Sequence, residues 1–592
     1  MKRFTAISMA FFLMLGTLTA CGLTEESEEN NSFAATENAE DTPEAVPSAE
    51  AAGAENEDTV DPADWTEYDS LIKEIQTATD YVKREAFMHR AEDMLMETGA
   101  ILPLYYCNDI YMHKSDITNI YMNQYGFKYF MFAQAPEKTL KLQLGSEPDA
   151  LDPAFGGSAD SACMIVNSFA GLYTYDADGN VQPDLASGYT VSEDGLTYTI
   201  DLLPELVWSD GSELNAADFV YSWNRAANPR RGAKDSYMFD VIAVNEDGTL
   251  QVTASEDGRT LTVTLSVPCA YFIDLLAFPA FYPVKQSEVE AAVGWENDPG
   301  AWCREAGYVT NGAYTVSSWT HGDSIVMTKN PNYHRADEVD IETIEVMLSA
   351  DDEKVFAAYN AGSLDFIDTV PVDEIQDLLE NPEFHITDCL GTYYVSFHVN
   401  SDLFAGKTPA QANAMRRAFA LLIDRGYIAE NIGQTGQIPA NTIIPPGMSD
   451  GHGGDFRQND GAYTYPDAEN VGYFNPYYSQ ENMSEARSLL ESAGYLFDEY
   501  GVLSPETPIS FEYLTDEGTA HAAVAEALQQ DFAMIGIDMS IRMVDRSVFL
   551  EERREGNYDV ARDGWLADFN DPVNMLEIWT AGSGYNHCGF GK

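Results

Sequence analysis

Apolar residues recur at helical spacing in two stretches near the start of the apolar-rich part of the chain. In residues 66–77 and 80–98 they lie three or four positions apart, which predicts two amphipathic helices. Asp80 is suited to cap the second helix, and Gly99 is suited to end it. The continuous apolar run 100–106 that follows predicts a buried strand.

The rest of the chain mixes strand and helix patterns. Residues 416–425 have the spacing of an amphipathic helix, and residues 510–544 predict a strand, a helix and a second strand, as in a βαβ unit. Residues 445–482 are rich in Gly, Asp, Asn and Tyr, which predicts a long surface excursion. Apolar runs or alternation predict further strands around residues 125–132, within 138–153, and at 197–202 and 392–400.

The first 21 residues have the pattern of a processed signal. Lys2 and Arg3 precede an apolar run that is short for a membrane span and closes on Leu-Thr-Ala-Cys at residues 18–21. That ending resembles a bacterial lipobox, in which the cysteine is lipidated and becomes the mature N-terminus. We therefore expect a lipid on Cys21, with a plain transmembrane anchor as the alternative.

Composition limits the partners and the class of the protein. The chain has 592 residues, enough for several domains, and its 97 acidic against 32 basic residues give a net charge of −65. Such a charge argues against nucleic acid or an anionic membrane surface as a partner, because both need a basic face. Residues 22–60 contain acidic but no basic residues, which predicts a disordered tether.

Cysteine spacing and catalytic motifs give no indication of an enzyme. The chain has no G-x-S-x-G, H-E-x-x-H, P-loop or Rossmann motif. We expect no catalytic residue, no cofactor and no metal site. Beyond residue 21 the cysteines are scattered, without C-x-x-C pairs or zinc-type spacing, and free buried thiols are expected at Cys107, Cys163, Cys269, Cys303, Cys389 and Cys588.

One carboxylate near the C-terminal end stands among apolar residues. Asp568 follows Trp565, Leu566 and Ala567 and precedes Phe569. Burial penalises its charge unless a cation or hydrogen-bond donors compensate. Arg562 could pair with it or meet a different anion. Taken alone, these residues allow a structural ion pair as well as a ligand contact.

Three longer stretches of sequence, one of which contains Asp568, indicate what this carboxylate could bind. Residues 207–212 read Val-Trp-Ser-Asp-Gly-Ser, residues 217–223 read Ala-Asp-Phe-Val-Tyr-Ser-Trp, and residues 564–572 read Gly-Trp-Leu-Ala-Asp-Phe-Asn-Asp-Pro. They resemble motifs of the oligopeptide-binding proteins of ABC importers, solute-binding protein family 5. The resemblance implies an α/β, two-lobed periplasmic-binding-protein-like fold of the class II type, with an extra small domain, that closes over a peptide.

The order of the family's segments is changed in this chain. Residues 65–133 resemble the family's C-terminal tail, whereas its usual beginning appears only at residue 138. The chain ends at Lys592, where a family member would continue into that tail. We therefore predict a circular permutant whose usual termini are joined through residues 134–137. A gene-assembly artefact and a duplicated fragment are the alternatives, although no second tail follows.

The resemblance also implies a division of the chain into functional segments. These are a signal peptide with lipobox (1–21), an acidic tether (22–60), a permuted tail segment of the second lobe (61–107), the first lobe (108–160 and 301–385), the small extra domain (161–300) and the second lobe (386–592).

Ligand-binding roles are implied residue by residue. Asp568 would hold the α-amino group of a bound peptide. Ordinary core packing or ion pairing remains an alternative for several of the other positions. Two pocket aromatics and three basic groups facing the peptide's C-terminal half are implied at Trp565, Tyr237, Arg562, Arg553 and His521.

The resemblance predicts a lipoprotein on the extracellular face of the cell membrane, or on the periplasmic side where an outer membrane exists. It would act as a monomer that captures oligopeptides and delivers them to the permease subunits of an ABC importer. The alternatives are a receptor of the same fold for a dipeptide, nickel chelate, haem or oligosaccharide, and a peptide sensor without transport. Asp568 discriminates between ligands, since only those with an amine need its carboxylate.

Overall fold

The computed structural model describes residues 60–592, apart from Ser146, Asp178, Asp460 and Gly461. The predicted signal peptide with its lipobox, and the predicted tether up to residue 59, lie outside the described residues. Within the described part of the chain, no helix has the length and apolar character needed to cross a bilayer.

The strands of the described chain are numbered in sequence order. They are β1 Ile101–His113, β2 Tyr121–Met122, β3 Lys128–Tyr129, β4 Thr139–Leu144, β5 Tyr173–Tyr175, β6 Val181–Pro183, β7 Ala186–Val191, β8 Thr197–Leu202, β9 Val252–Ala254, β10 Thr260–Thr264, β11 Tyr314–Thr320, β12 Ser324–Lys329, β13 Thr343–Leu348, β14 Phe366–Ile367, β15 Phe384–Phe397, β16 Ile438–Pro439, β17 Ser510–Asp516, β18 Asp538–Val544 and β19 Val560–Leu566.

The α-helices are numbered in the same way, and a 3₁₀ segment, Lys234–Val241, carries Tyr237. The helices are α1 Thr66–Thr77, α2 Tyr81–Glu97, α3 Ala159–Ser168, α4 Ala216–Ala226, α5 Phe272–Leu275, α6 Gln286–Ala291, α7 Asp352–Asn360, α8 Ile375–Leu378, α9 Pro409–Leu422, α10 Arg425–Tyr427, α11 Gln480–Ser492, α12 Thr519–Ala533, α13 Arg546–Glu555 and α14 Val573–Glu577.

The first two helices form where the sequence predicts them. The apolar face of α1 is buried, and the Asp80 carboxylate caps α2 by accepting a hydrogen bond from the Lys83 backbone N–H at 3.2 Å. Gly99 follows α2 with a φ of +62°, a left-handed conformation that favours glycine. The strand predicted at residues 125–132 is too long, because only the two residues of β3 pair there, with β2.

Most strands join one large sheet in the order β11-β12-β13-β4-β14-β1-β15-β19-β17-β18, with β16 paired to β1. At its centre lie the two longest strands, β1 with 13 residues and β15 with 14, which run antiparallel. Ile101 at the start of β1 faces Ser396 near the end of β15. Met112 near the end of β1 lies between Phe384 of β15 and Ile367 of β14.

The long pair β1 and β15 passes from one lobe to the other. We define the first lobe by strands β4 and β11–β14, and the second lobe by strands β17–β19. Leu102 and Leu104 of β1 belong to the second-lobe core, whereas Met112 packs in a separate core beside β14. Two register shifts, between Pro103 and Tyr105 and between Tyr106 and Asn108, lie between these ends. These irregularities mark where the strand leaves one lobe and enters the other.

A four-stranded sheet, β7-β8-β10-β9, stands apart from the large sheet. Helix α4 packs beside it, and its start is fixed by a capping box between Asn215 and Asp218. Trp223 of α4 is fully buried and donates to the Phe281 carbonyl at 2.8 Å. This arrangement explains the apolar spacing of the motif at residues 217–223.

Residues 60–133 are built into the rest of the molecule and do not form a separate unit. The ring of Trp65 stacks on Phe590 with centroids 4.3 Å apart, and its Nε1 donates to the Trp579 carbonyl at 2.9 Å. The Gly591 backbone N–H donates to the Pro62 carbonyl at 2.9 Å. The first described residues and the last residues of the chain are therefore neighbours.

Replacing Arg84 should reveal how strongly this early segment supports the fold. The Arg84 guanidinium of α2 makes two hydrogen bonds, of 2.7 and 2.9 Å, to the carboxylate of Asp571. Both side chains are buried, so Arg84→Met leaves a buried carboxylate without its cation. We expect a loss of about 3–5 kcal/mol in the free energy of unfolding, measured by denaturant titration.

Arg90→Met is the matched control for that substitution. Arg90 lies on the same helix, but its pair with Glu67 is exposed on both sides. An exposed pair contributes about 0–1 kcal/mol. Equal destabilisation by the two substitutions would contradict the role assigned to the buried pair.

Candidate functional site

Strand β19 carries the Asp568 segment out of the second lobe to the 3₁₀ segment that holds Tyr237. It pairs with β15 on one side and runs parallel to β17 on the other. Just beyond its end, the Ala567 backbone N–H donates to the Leu390 carbonyl at 2.7 Å, which turns the chain toward α14. Asp568 thus lies past the C-terminal end of a strand, where ligands of α/β sheets commonly bind.

Neutral donors hold the Asp568 side chain in place. Its Oδ2 accepts a hydrogen bond from the Tyr237 hydroxyl at 2.7 Å and a longer one from the Asn574 amide at 3.3 Å. The Asn574 Oδ1 in turn accepts from the Asp568 backbone N–H at 2.9 Å and from Trp565 Nε1 at 3.1 Å. The fully buried amide of Asn574 therefore orients both predicted site residues of this segment.

No ion pair to Asp568 is formed within the described residues. Burial raises the pKa of its carboxyl from 3.8 to about 6, and the hydrogen bonds from Tyr237 and Asn574 offset only part of this effect. A carboxylate compensated by dipoles alone is suited to receive a cation that the protein does not supply.

Tyr237 and Trp565 are brought to the carboxylate from different parts of the chain. Tyr237 comes from the 3₁₀ segment that precedes the four-stranded sheet's last two strands, and Trp565 comes from β19. The Trp565 ring packs edge-on against Tyr585, with centroids 4.8 Å apart. Three of the six predicted ligand-binding residues, Asp568, Tyr237 and Trp565, thus form one group.

Arg562 pairs with Asp516 and not with Asp568. Its Nη2 lies 2.7 Å from Asp516 Oδ2, and its Nε also contacts this carboxylate. Although burial alone would raise it, the hydrogen bonds and charge of Arg562 hold the pKa of Asp516 at about 2. Arg546 reaches the same carboxylate at 3.5 Å. Two arginines around one carboxylate leave a net positive charge on this group.

His521 lies beside the same group but is neutral at physiological pH. Burial, followed by the charge of Arg562, lowers its pKa to about 3. Its Nδ1 lies 3.2 Å from the Tyr393 hydroxyl. His521 can therefore contribute a hydrogen bond to a ligand, whereas the cationic role implied by the sequence belongs to the arginines.

Arg553 forms a separate and electrically balanced group. Its Nη1 lies 2.6 Å from Asp563 Oδ1, and His587 Nδ1 lies 2.8 Å from the other oxygen. Both partners of the Arg553–Asp563 pair are largely buried. Burial would raise the pKa of Asp563, but the charge of Arg553 and the hydrogen bond with His587 hold it at about 2. This pairing matches the structural alternative for Arg553, and a ligand role stays a prediction.

Direct contacts join the two lobes at the site. The Thr519 hydroxyl at the start of α12 donates to Asp352 Oδ2 of α7 at 2.6 Å. The Gln434 amide donates to the Val372 carbonyl at 3.0 Å. These bonds join the two sides of the large sheet next to the site, and the contact from Tyr237 to Asp568 ties the 3₁₀ segment to the end of β19.

A family match covers most of the chain. Residues 180–587 match the model of bacterial extracellular solute-binding proteins, family 5 Middle. The chain belongs to this family. The family resemblance seen in the sequence is therefore confirmed, and family 5 is a family of solute-binding proteins.

Two curated relatives and one solved structure resemble this family 5 chain. It is 29% identical over 464 residues to the dipeptide-binding protein DppE of Bacillus subtilis, covering 77% of this chain and 79% of that protein. It is 28% identical over 466 residues to the oligopeptide-binding protein OppA of the same bacterium, covering 76% and 78%. A structure of Listeria monocytogenes OppA bound to peptide matches with a TM-score of 0.64 at 25% identity, covering 77% and 86%. The predicted α/β periplasmic-binding-protein-like fold is confirmed, and the permutation stays a prediction.

A second cluster of polar side chains could hold a cation. Ligand atoms of Glu85, Asp450 and His452 lie within 4.8 Å of one another, a carboxylate and imidazole set that suits a divalent metal. His452 Nε2 already lies 2.9 Å from Glu85 Oε2, so the group is also satisfied as an ion pair. The expectation of no metal and no cofactor stays a prediction.

Several residues of the site were not predicted from the sequence. Asp516 is the last residue of β17, in the predicted βαβ unit, and this position at a strand end could have indicated it. Asn574, Tyr585 and Asp235 lack such a signal, because Asn574 donates to the Tyr237 hydroxyl and Tyr585 to Asp235, contacts between segments far apart in sequence. A surface groove of about 850 Å³ between residues 116–136 and 335–340 contains none of the predicted ligand-binding residues.

Proposed function

We propose that the protein is an extracellular solute-binding protein that captures oligopeptides and delivers them to an ABC importer. The observation that carries the proposal is Asp568, a half-buried carboxylate just beyond the end of β19 that only neutral donors contact among the described residues. The α-amino group of a peptide supplies the missing positive charge together with hydrogen-bond donors.

The positively charged group around Asp516 suits the other end of the ligand. Arg562 and Arg546 both contact its carboxylate, while His521 beside them stays neutral. The excess positive charge can receive a peptide carboxylate at a distance from Asp568. An extended peptide between the two groups can hydrogen-bond through its backbone, which gives affinity without a strict side-chain requirement.

The names of the relatives support this choice of ligand. The two Bacillus subtilis relatives are named as dipeptide- and oligopeptide-binding proteins, and the Listeria monocytogenes structure contains a peptide. We extend this to a monomeric, non-enzymatic receptor that docks on permease subunits. A receptor of the same fold for a dipeptide, nickel chelate, haem or oligosaccharide is the alternative, and so is a peptide sensor without transport.

Mass spectrometry of ligand released from the purified, denatured protein tests the proposal. Short peptides with free amino termini are expected. Recovery of a metal chelate, haem or oligosaccharide as the stoichiometric ligand would replace the proposed function by the corresponding alternative.

We also propose that Cys21 carries the lipid anchor, because residues 18–21 resemble a lipobox. Cys21→Ser should release the protein into the soluble fraction, since lipid chains on this cysteine would provide the membrane attachment. Fractionation after a carbonate wash measures the partition, with Cys107→Ser as the control that should stay attached. A Cys21→Ser protein that remains wholly in the membrane fraction points to a helical anchor.

The proposed circular permutation is supported by the placement of the early segment. Strand β1 lies in the middle of the large sheet, and Trp65 stacks on Phe590. If the segment were a duplicated fragment, the original copy would fill the position that β1 occupies in the sheet. Reordering the segments tests this proposal, as set out in the Discussion.

A further inference from the structure

Asp235 lies next to the Asp568 group and is part of the same contact network. It belongs to the 3₁₀ segment that carries Tyr237, and it is only 6% exposed. The Tyr585 hydroxyl donates to Asp235 Oδ1 at 3.1 Å, and the Tyr585 ring packs on Trp565. Each carboxylate thus accepts a hydrogen bond from one tyrosine: Asp568 from Tyr237, which lies two residues after Asp235, and Asp235 from Tyr585, which packs on Trp565.

Neither carboxylate has an ion pair within the described chain, in contrast to the most deeply buried aspartates. Lys234 is the neighbour of Asp235, but its Nζ contacts Asp149 at 2.8 Å. The described aspartates that are exposed by 1% or less each contact an arginine. Those pairs are Asp152 with Arg225, Asp516 with Arg562, Asp563 with Arg553 and Asp571 with Arg84.

The two carboxyl groups oppose each other's ionisation. Burial, followed by the charge of Asp568, raises the pKa of Asp235 to about 7. With the pKa of Asp568 at about 6, the pair holds close to one proton at about pH 6.5 and loses most of it by about pH 7.5. A cation bound at the two carboxylates would stabilise their ionised forms, so the proton would be released.

Other charged groups around the pair are few within the described residues. Asp568, Lys234 and Asp149 act on Asp235 through their charges, and the hydroxyl of Tyr585 contacts it. Tyr237 and Asn574 contact Asp568. Glu577 of α14 also faces this region, and burial, with a contribution from Asp568, raises its pKa to about 8. The positive charge of Lys234 is therefore the only protein cation acting on Asp235 among these groups, and it is already paired.

We propose that Asp235 is a second carboxylate of the ammonium subsite, and that it binds the peptide's amino terminus together with Asp568. The inference rests on the proposed function, because it assumes that Asp568 receives an α-amino group. Binding of the ammonium group then displaces into solvent the proton that the two carboxyl groups hold. The subsite selects peptides with a free, protonated amino terminus, and its affinity rises with pH until both carboxylates are ionised.

The test uses trialanine and N-acetyl-trialanine as probes in titration calorimetry of the full chain. Buffers of different ionisation enthalpy report the protons released on binding. For the parent protein, affinity for trialanine should rise by about tenfold between about pH 5.5 and about pH 7.5, with release of up to about one proton. N-acetyl-trialanine should bind weakly and release no proton.

Asp235→Asn should weaken trialanine binding by about tenfold at about pH 7.5 and flatten the pH dependence, because one carboxylate and the proton that the pair holds are lost. Asp247→Asn is the control, since Asp247 is exposed in a turn of the small sheet region and the charge change is the same. It should keep the parent affinity and proton release. The unfolding midpoint of each variant reports whether it folds.

Two outcomes overturn the proposal in different ways. If Asp235→Asn keeps the parent affinity and proton release while acetylation still weakens binding, Asp235 has no part in the subsite and the Asp568 anchor stands. If the parent binds acetylated and free trialanine equally, Asp568 does not bind the amino terminus. The proposed role of Asp235 is then wrong as well. The proton release of the parent is measured independently of any substitution.

Discussion

Asp568→Asn is expected to weaken binding of free-amine peptides by about 10- to 1,000-fold, the largest effect of any single substitution at the site. The amide has the same shape and can still accept from Tyr237 and Asn574, so the contacts that orient the segment remain. What is lost is the negative charge that pairs with the ligand's ammonium group. Calorimetry with a tripeptide of defined sequence measures the effect.

N-acetylation of the same tripeptide completes a double-mutant cycle. The parent should bind the acetylated peptide poorly, and Asp568→Asn should barely distinguish the two peptides. Additive effects of the substitution and of acetylation would place the carboxylate outside the ammonium contact and leave it a structural role.

Stability measurements separate binding from folding in this experiment. The pKa of Asp568 is raised from 3.8 to about 6 in the folded protein, so its ionisation costs stability progressively as pH rises through that window. The neutral side chain of Asp568→Asn avoids this cost. The variant should therefore be at least as stable as the parent above about pH 6, despite its lower affinity.

A reordered chain should fold and bind as the parent does. In the reordered variant, residues 61–133 follow Lys592, and the protein starts at residue 138. All contacts of β1 with β14 and β15 can form in either order, and the two ends to be joined already lie side by side, as Gly591 and Pro62 show. Circular permutation is tolerated where termini are close and exposed.

Deleting residues 61–133 altogether is the matched control for the reordered chain. It removes β1 from the middle of the large sheet and exposes the edges of β14 and β15. We expect insoluble or molten protein, measured by solubility and by thermal unfolding. A deletion variant that stays folded and binds peptide would contradict the assignment of this segment to both lobes.

The local pattern predicts the helices and the βαβ unit well, since each buries its own apolar face. Helix α1 has the predicted bounds, and β17, α12 and β18 form the predicted parallel unit. The predicted ends of the strands are less accurate. β15 begins at Phe384 and not near residue 392, because residues 385–388 are only partly buried or exposed, show no apolar pattern and are fixed as a strand by pairing with β1.

The candidate site is predictable in part. Asp568, Trp565 and Tyr237 meet as the resemblance implies. The partner of Arg562 could not be predicted, because Asp516 comes from a different strand and only sheet register places it there. His521 shows a further limit, since its neutrality arises from burial and from the charge of Arg562. Sequence gives the type of a titratable group, and the fold decides its charge.

The position of β1 in the chain has a consequence for the order of folding. Ile101 pairs with Ser396 and Met112 with Ile367, so this early strand must wait for partners that emerge hundreds of residues later. Closing such long loops is entropically costly and slow. Neither lobe can be completed before β15 has left the ribosome. Pairing at the centre of the large sheet is therefore a late step in folding, and β1 stays without its partner strand until Phe397 has been synthesised.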